Sequence, residues 1–156
     1  PRGLPWRMWT WRGEGGRLQA TIAGHLAQIE SLVGAASNAD AARPEALKAR
    51  LKAQVDELLG AAPALPADRL TQEVAVLVAK SDVREELDRL RAHITAAREL
   101  IDDGGAVGRR LDFLCQEFNR EANTLCSKSW DVALTRIGLD LKSTIEQLRE
   151  QIQNIE

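Results

Sequence analysis

The 156-residue sequence is poor in aromatic residues and in cysteine: it has no tyrosine, two phenylalanines and two cysteines. Aromatic residues are strong strand formers, so their scarcity beside abundant Ala, Leu, Glu, Arg and Gln favours helix. No apolar run approaches the roughly 18 residues that a membrane span needs, so no membrane association is expected. The formal net charge of −2 gives no overall basic excess for a nucleic-acid partner, which leaves only a local basic patch or a metal-assisted site for that role.

The two cysteines, Cys115 and Cys126, exclude two kinds of site. They are eleven positions apart on one predicted helix, about 16 Å along its axis, which is too far for a disulfide. No histidine is near them in sequence, so they do not form a zinc motif. The N-terminal segment lacks the apolar region of a signal peptide, and we therefore expect reduced, partly buried thiols.

Apolar residues recur every three to four positions along most of the chain, which predicts helices beginning at Glu14. A first break between helices is predicted at Gly34–Arg43, and Pro44 suits the first turn of the next helix. A stiff linker is predicted at Ala61–Pro66, and the clearest break is Gly104–Gly108. The expected buried positions are Leu18, Ile22, Leu26, Ile29, Val33, Leu47, Leu51, Val55, Leu58, Leu70, Val74, Leu77, Val78, Val83, Leu87, Leu90, Ile94, Ala97, Ile101, Leu111, Leu114, Phe118, Ala122, Leu125, Ile137, Leu141, Ile145, Leu148, Ile152 and Ile155.

These apolar stripes are long, the breaks between them are short, and no segment has the alternation of a strand. We therefore predict an all-α fold in which long antiparallel helices form a helical bundle or extended hairpins. The last stripe keeps a heptad spacing to the C-terminus, so that helix is expected to dock on this chain or on a neighbour. The side chains predicted to cap helix starts are Asp68, Ser81, Asp82, Ser127 and Ser129.

The first 13 residues differ from the rest because they contain Trp6, Trp9 and Trp11. We expect residues 1–13 to be a truncated or non-native leader and residues 14–156 to form the helical domain.

A helix predicted over Arg109–Leu125 has an unusual density of groups capable of chemistry. Glu117, Glu121 and Thr124 are separated by four and three positions, so they share one face. Two carboxylates one turn apart can hold a divalent cation, or share a proton in a dry site. Nearby cations such as Lys128 can receive a phosphate. The alternative is a solvated face with weak local Arg–Glu pairs, which is the usual meaning of a charged helical face.

His93 is the second candidate for a chemical role. Residues at helical spacings on the same side of its helix are Asp82, Glu85, Glu86 and Arg89. A histidine near carboxylates can act as a general acid or base in phosphodiester cleavage, or bind a metal. The alternative is a surface or hydrogen-bonded histidine without such a role. The sequence has no G-x-S-x-G motif, P-loop or Rossmann fingerprint, so those classes of site have no support.

The segments GRRLDFLCQEFNREANTLCSKS (108–129) and REQIQNIE (149–156) closely resemble the C-terminal region of the YicC/YloC family of bacterial endoribonucleases. DVREELDRLRAH (82–93), EVAVLVAKSDV (73–83) and the E-G-x-x-L at 14–18 are similar to further motifs of that family. The resemblance covers residues 14–156. It implies the helical C-terminal region of a longer protein, without the N-terminal α+β domain of the family.

The resemblance implies a cytoplasmic bacterial enzyme that forms a homo-oligomer, a hexamer in the family. The implied activity is cleavage of single-stranded or hairpin RNA with Mn²⁺ or Mg²⁺, in small-RNA turnover and the stress response. The catalytic residues would be His93, Glu117 and Glu121. His93, or a water bound to the cation, would take the proton of the attacking group. The residues expected to bind the metal are Glu117, Glu121, Glu85, Glu86 and Asp82. Those expected to bind RNA or its phosphates are Arg89, Arg120, Lys128, Asn119, Asn123 and Thr124.

Two other functions fit the same residues. A non-catalytic oligomerisation module would use the charges for salt bridges between subunits, and an RNA-binding module would need the cations but not the carboxylates.

Overall fold

The computed structural model describes residues 15–61, 67–104 and 107–154. These residues contain α-helices and a short 3₁₀ turn but no β-strand, which confirms the predicted all-α class. The helices are α1 (Gly15–Asn38), α2 (Pro44–Ala61), α3 (Ala67–Ser81), α4 (Arg84–Asp103), α5 (Gly108–Lys128) and α6 (Val132–Gln153), and the 3₁₀ turn is Asp40–Ala42. The leader 1–13, most of the predicted linker (62–66) and Ile155 lie outside the described residues.

Helices α1, α4, α5 and α6 form a bundle in which each helix packs against two others. Neighbours run antiparallel: near the start of α1, Gln19 donates a hydrogen bond to the carbonyl of Ile101 near the end of α4. Lys128, the last residue of α5, contacts Glu86 in the first turn of α4. The predicted bundle of antiparallel helices is therefore confirmed.

The bundle core consists of the apolar stripes that the sequence predicts for these four helices. Phe118 is the largest fully buried side chain. Its neighbours in the core include Ile22, Leu26, Ile29, Leu90, Ile94, Leu111, Leu125, Leu141, Ile145 and Leu148. Each such side chain contributes roughly 1.5–3 kcal/mol by leaving water, so these positions account for most of the driving force.

The α2–α3 hairpin packs mainly on itself. Among the described side chains of α2 and α3, only Leu47 is buried, and the predicted core position Leu77 is exposed. Arg50 fixes the hairpin to the bundle: its guanidinium lies 4.4 Å from the centroid of the Trp130 ring and donates to the Trp130 carbonyl at 3.3 Å. The stripe of α3 was thus predicted correctly as helix but wrongly as core, because among the described residues α3 packs mainly on α2 and not on the bundle.

The break predicted at Gly34–Arg43 starts too early, since α1 continues to Asn38. Ala36 is fully buried and the hydroxyl of Ser37 accepts a hydrogen bond from Arg91 on α4, so tertiary contacts extend the helix beyond its apolar stripe. Gly104, by contrast, ends α4 as predicted, with a left-handed φ of 63° that glycine adopts without strain.

The prediction that Ser127 or Ser129 caps the start of α6 was wrong. The N-cap is Asp131, whose carboxylate accepts the backbone N–H of Leu134 at 3.0 Å, whereas Ser129 is the C-cap of α5. Asp68 lies inside the first turn of α3 rather than before it. Among the described residues, no helix combines the length and the hydropathy required to cross a bilayer.

Candidate metal centre between helices α4 and α5

The polar faces of α4 and α5 meet along one line, which we call the polar seam. Because the helices are antiparallel, the early residues of α4 face the late residues of α5. The pairs along the seam, from the start of α4 onwards, are Glu86 with Lys128, Arg89 with Glu121, and His93 with Glu117 and Glu121. The residues proposed as ligands lie on these two helices, and within this chain the two helices face each other.

Glu86 is a buried carboxylate held by two cations. Its side chain is 2% exposed, and its Oε1 accepts from Nζ of Lys128 at 2.7 Å and from Nη2 of Arg89 at 3.5 Å. Lys128 also donates to the carbonyl of Asp82 at 3.2 Å. Oε2 of Glu86 is buried and has no hydrogen-bond partner among the described residues. A buried charge is costly unless it is paired, so the contact with Lys128 compensates for the burial of the Glu86 carboxylate.

Arg89 links the two helices through several carboxylates. Its Nε lies 2.8 Å from Oε1 of Glu121, and its Nη1 lies 2.6 Å from Oε1 of Glu85. The hydrogen bonds with Glu121 and then with Glu85 raise the pKa of Arg89, which keeps the guanidinium charged. Arg89 therefore fixes the orientation of the Glu121 carboxylate, which is only 6% exposed.

His93, Glu117 and Glu121 form a compact group, here called the His–Glu cluster. One potential ligand atom from each lies within 4.8 Å of the other two. The imidazole of His93 packs edge-on against the Phe118 ring, with centroids 6.0 Å apart and planes at 90°. Nε2 of His93 is buried and has no hydrogen-bond partner among the described residues. A buried polar atom without a partner is rare and costly, which makes this nitrogen a candidate for an external partner.

The donor set of the His–Glu cluster fits a divalent cation. Two carboxylates and an imidazole suit first-row metals such as Mn²⁺, and three protein ligands leave positions open for substrate. A ligand on Nε2 would satisfy the orphaned nitrogen. The hydrogen bond from Arg89 holds Glu121 as outer-shell partners hold ligating carboxylates in metal sites.

The other predicted metal ligands lie elsewhere on the seam. The carboxylate of Asp82 binds Arg84 at 2.7 Å, and this hydrogen bond lowers the pKa of Asp82. Glu85 pairs with Arg89, while Glu86 pairs with Lys128. The structure therefore brings together His93, Glu117 and Glu121. The prediction that Asp82, Glu85 and Glu86 belong to the same ligand group was wrong, because each pairs with a cation instead.

The residues predicted to bind RNA divide into two groups. Asn119, Arg120 and Asn123 are exposed on α5, whereas Thr124 is half-buried and donates to the carbonyl of Arg120 in its own helix at 3.0 Å. Arg89 and Lys128, which were expected to hold phosphate, bind carboxylates instead. Apart from Arg89, which is exposed but paired with carboxylates, the exposed residues predicted to contact RNA all lie on α5.

The sequence analysis missed the part that Phe118 has in the site. It assigned Phe118 to the core, which is correct, but the same ring also supports His93. The sequence signal for this role is that Phe118 directly follows Glu117. A core side chain therefore lies next to a proposed ligand on α5.

Comparison with known proteins identifies relatives for most of the chain. Residues 36–156 match the family described as "Endoribonuclease YicC-like, C-terminal". A protein of Haemophilus influenzae named probable endoribonuclease YicC is 51% identical over 92 residues, which are 59% of this chain and 32% of the relative. A Clostridioides difficile protein of the same name is 36% identical over 143 residues, 92% of this chain and 49% of the relative. The chain thus spans half or less of the length of these curated relatives.

Proposed function

The chain belongs to the YicC-like endoribonuclease family, and from this membership and the polar seam we propose that it is the helical part of a metal-dependent endoribonuclease. The proposed reaction is cleavage of RNA phosphodiester bonds. The observation that carries the proposal is the His–Glu cluster, in which a ring nitrogen of His93 lies within 4.8 Å of an oxygen of each of two carboxylates. Nε2 of the same ring is buried without a hydrogen-bond partner among the described residues. A solvated charged face would not bury Glu121 and His93 Nε2 together.

We assign the cation, Mn²⁺ or Mg²⁺, to Glu117 and Glu121, with His93 completing the ligand set or moving a proton of the attacking group. A bound divalent cation would stabilise the charge that develops on the phosphoryl oxygens. Arg89 keeps Glu121 in one orientation through the 2.8 Å contact of its Nε. Glu86 holds Lys128 against the start of α4 through the 2.7 Å contact of Oε1 with Nζ. Arg89 and Lys128 are therefore proposed as positioning residues and not as phosphate ligands.

The RNA strand is proposed to cross the exposed side of α5. Arg120 follows Glu117 by three positions and is exposed, so its guanidinium can reach a phosphate next to the cluster. The exposed amides of Asn119 and Asn123 can hydrogen-bond sugars or bases, and Thr124 lies at the edge of the same face. The RNA is expected to be single-stranded or a hairpin.

The wider expectations of the family resemblance belong to the same proposal. They are a cytoplasmic location, a homo-oligomer such as a hexamer, and a role in small-RNA turnover and the stress response. An assembly module without catalysis would use the seam charges between subunits. Arg89 and Lys128 pair with carboxylates of the same chain, whereas an assembly module would need their charges at a subunit boundary.

The test is cleavage of an end-labelled RNA hairpin by the full chain with Mn²⁺, with Mg²⁺ and with EDTA. His93→Ala and Glu121→Gln are compared with Glu73→Gln, an exposed glutamate on α3, as the matched control. We expect cation-dependent cleavage that falls at least about tenfold in the two cluster variants and is unchanged in the control. Circular dichroism and sedimentation velocity establish that each variant is folded and assembled. Cleavage that persists in EDTA, or that is equal in Glu121→Gln, would refute the proposal.

A further inference from the structure

Beyond the His–Glu cluster, the space between α4 and α5 opens into a groove at the end where the two helices are connected. The groove has a volume of about 870 Å³, and its apolar wall is formed by Ala96 and Leu100 of α4 with Phe113 and Leu114 of α5. None of the residues predicted for the site from the sequence lines it. The groove is therefore a separate feature from the candidate metal centre.

The groove continues the polar seam by helical register. On α5, Phe113 precedes Glu117 by four positions, so the two lie on the same face about 6 Å apart along the axis. On α4, Ala96 and Leu100 follow His93 by three and seven positions, which is again one face. A molecule lying along the seam would thus extend from the His–Glu cluster directly onto Phe113.

Phe113 is unusual for an aromatic residue of this bundle because it is 58% exposed. The other phenylalanine, Phe118, is fully buried one turn later on the same helix. An exposed ring on a groove wall offers a flat apolar surface, and aromatic side chains of this kind stack nucleobases without strong preference for sequence.

The charges around the groove match the separate parts of a nucleotide. Arg109 and Arg110 are exposed, and within the described part of the chain neither side chain has a hydrogen bond or an ion pair. Guanidinium groups of this kind bind phosphate. Glu99, Asp102 and Asp103 line the opposite side, and their carboxylates would repel a phosphate but can accept hydrogen bonds from the N–H groups of a base.

We propose that this groove is a nucleotide subsite of the RNA-binding surface. A base stacks on Phe113, its phosphate contacts Arg110, and the next phosphate along the strand reaches the His–Glu cluster. This inference rests on the proposed function, since it takes RNA as the ligand of the seam. It gives Phe113 and Arg110 roles in holding the substrate and not in the chemical step.

The test is binding of the full chain, by fluorescence anisotropy in EDTA, to a labelled 12-nucleotide oligoadenylate and to an abasic 12-mer with the same number of phosphates. Stacking supplies about 5- to 150-fold in affinity per base. We therefore expect Phe113→Ala to weaken oligoadenylate binding by about that factor and to leave abasic binding unchanged, while Phe113→Trp retains affinity. Arg110→Gln should weaken binding of both probes and flatten their salt dependence.

Matched controls are available on α6, away from the groove. Leu139 is 55% exposed, so Leu139→Ala removes a similar apolar surface, and Arg136→Gln removes another exposed cation. Both controls should bind the probes as the unaltered chain does. Phe113 lies outside the core, so circular dichroism is expected to show its variants fully folded.

Several results would overturn the subsite. They are no binding of oligoadenylate, equal binding by the unaltered chain and Phe113→Ala, or equal losses for the two probes. A changed sedimentation coefficient in Phe113→Ala with unchanged RNA binding would instead make this face a contact between copies of the chain. Base-dependent binding without cation-dependent cleavage refutes the nuclease proposal alone. Cleavage without a Phe113 effect refutes the subsite alone.

Discussion

Replacing Lys128 with methionine should destabilise the protein more than replacing Lys128 and Glu86 together. Lys128→Met removes the cation 2.7 Å from a carboxylate that is 2% exposed. The remaining cation, Arg89, lies 3.5 Å away and is shared with other carboxylates, and Oε2 of Glu86 has no partner among the described residues. Leaving a buried charge without its partner costs about 3–5 kcal/mol, and we expect the lower end, about 3 kcal/mol, because Arg89 still compensates in part.

Glu86→Gln acts on the same pair from the other side. Lys128 and Arg89 are 23% and 43% exposed, so their charges can be hydrated once the carboxylate is neutral. The expected loss is therefore about 1–2 kcal/mol, in the range of a hydrogen bond to a charged group. The double variant has no buried charge, and we expect it to lose about 1–2 kcal/mol as well. The two single losses would then exceed the double loss by about 3 kcal/mol.

The assay is urea unfolding followed by circular dichroism, with the four proteins of the cycle compared at equal ionic strength. The pair Asp88–Arg91 is the matched control, since its atoms are 3.3 Å apart but its side chains are 78% and 49% exposed. A cycle on that exposed pair should give a coupling of at most about 1 kcal/mol. Additive losses for Glu86 and Lys128, or a double variant less stable than Lys128→Met, would refute the buried ion pair.

Two further predictions concern α5. Burial raises the pKa of the Cys115 thiol from 9.0 to about 12, so the folded state keeps a proton that the unfolded state loses. Cys115 should therefore leave the free energy of unfolding unchanged below about pH 9 and lower it by about 1.4 kcal/mol per pH unit from there to about pH 12. Urea unfolding of Cys115→Ala over the same pH range should lack this decrease. Equal decreases in both proteins would contradict the prediction. Gly138→Ala should destabilise, because the new Cβ would lie 2.6 Å from Sγ of Cys126 and 3.0 Å from Cδ2 of Leu125. Overpacking costs about 1–3 kcal/mol, whereas replacing glycine by alanine in a helix gains about 1 kcal/mol. Removing the Sγ atom in Cys126→Ala should relieve the loss of stability. An equal loss with and without Cys126 would refute the contact.

The bundle was predictable because its helices have complete apolar stripes. Leu87, Leu90 and Ile94 on α4 all occupy the core as their spacing indicates. The spacing of Val74 and Val78 on α3 is equally helical, yet both are only half-buried. Periodicity reports which side of a helix is apolar. It does not report whether another helix covers that side, so the separate packing of the α2–α3 hairpin was not predictable.

Three of the residues proposed from the sequence as ligands meet in the structure, but the pairing of the charges around them was not predictable. Glu117 and Glu121 could be selected because they lie one turn apart on one polar face, and His93 because carboxylates lie at helical spacings beside it. Which cation meets which carboxylate depends on how two antiparallel helices are aligned, and a single sequence does not determine that alignment. Arg89 and Lys128 were consequently assigned to phosphate, although the alignment places them on Glu121 and Glu86.

Pulsed electron paramagnetic resonance of Mn²⁺ bound to the full chain tests most directly whether His93, Glu117 and Glu121 hold a divalent cation. The spectrum should show coupling to an imidazole nitrogen that disappears in His93→Gln and remains in His25→Gln, the other histidine of the chain. Mn²⁺ affinity should fall at least about tenfold in Glu121→Gln. Bound Mn²⁺ without nitrogen coupling, or with the same affinity in Glu121→Gln as in the unaltered chain, would contradict a metal centre between α4 and α5.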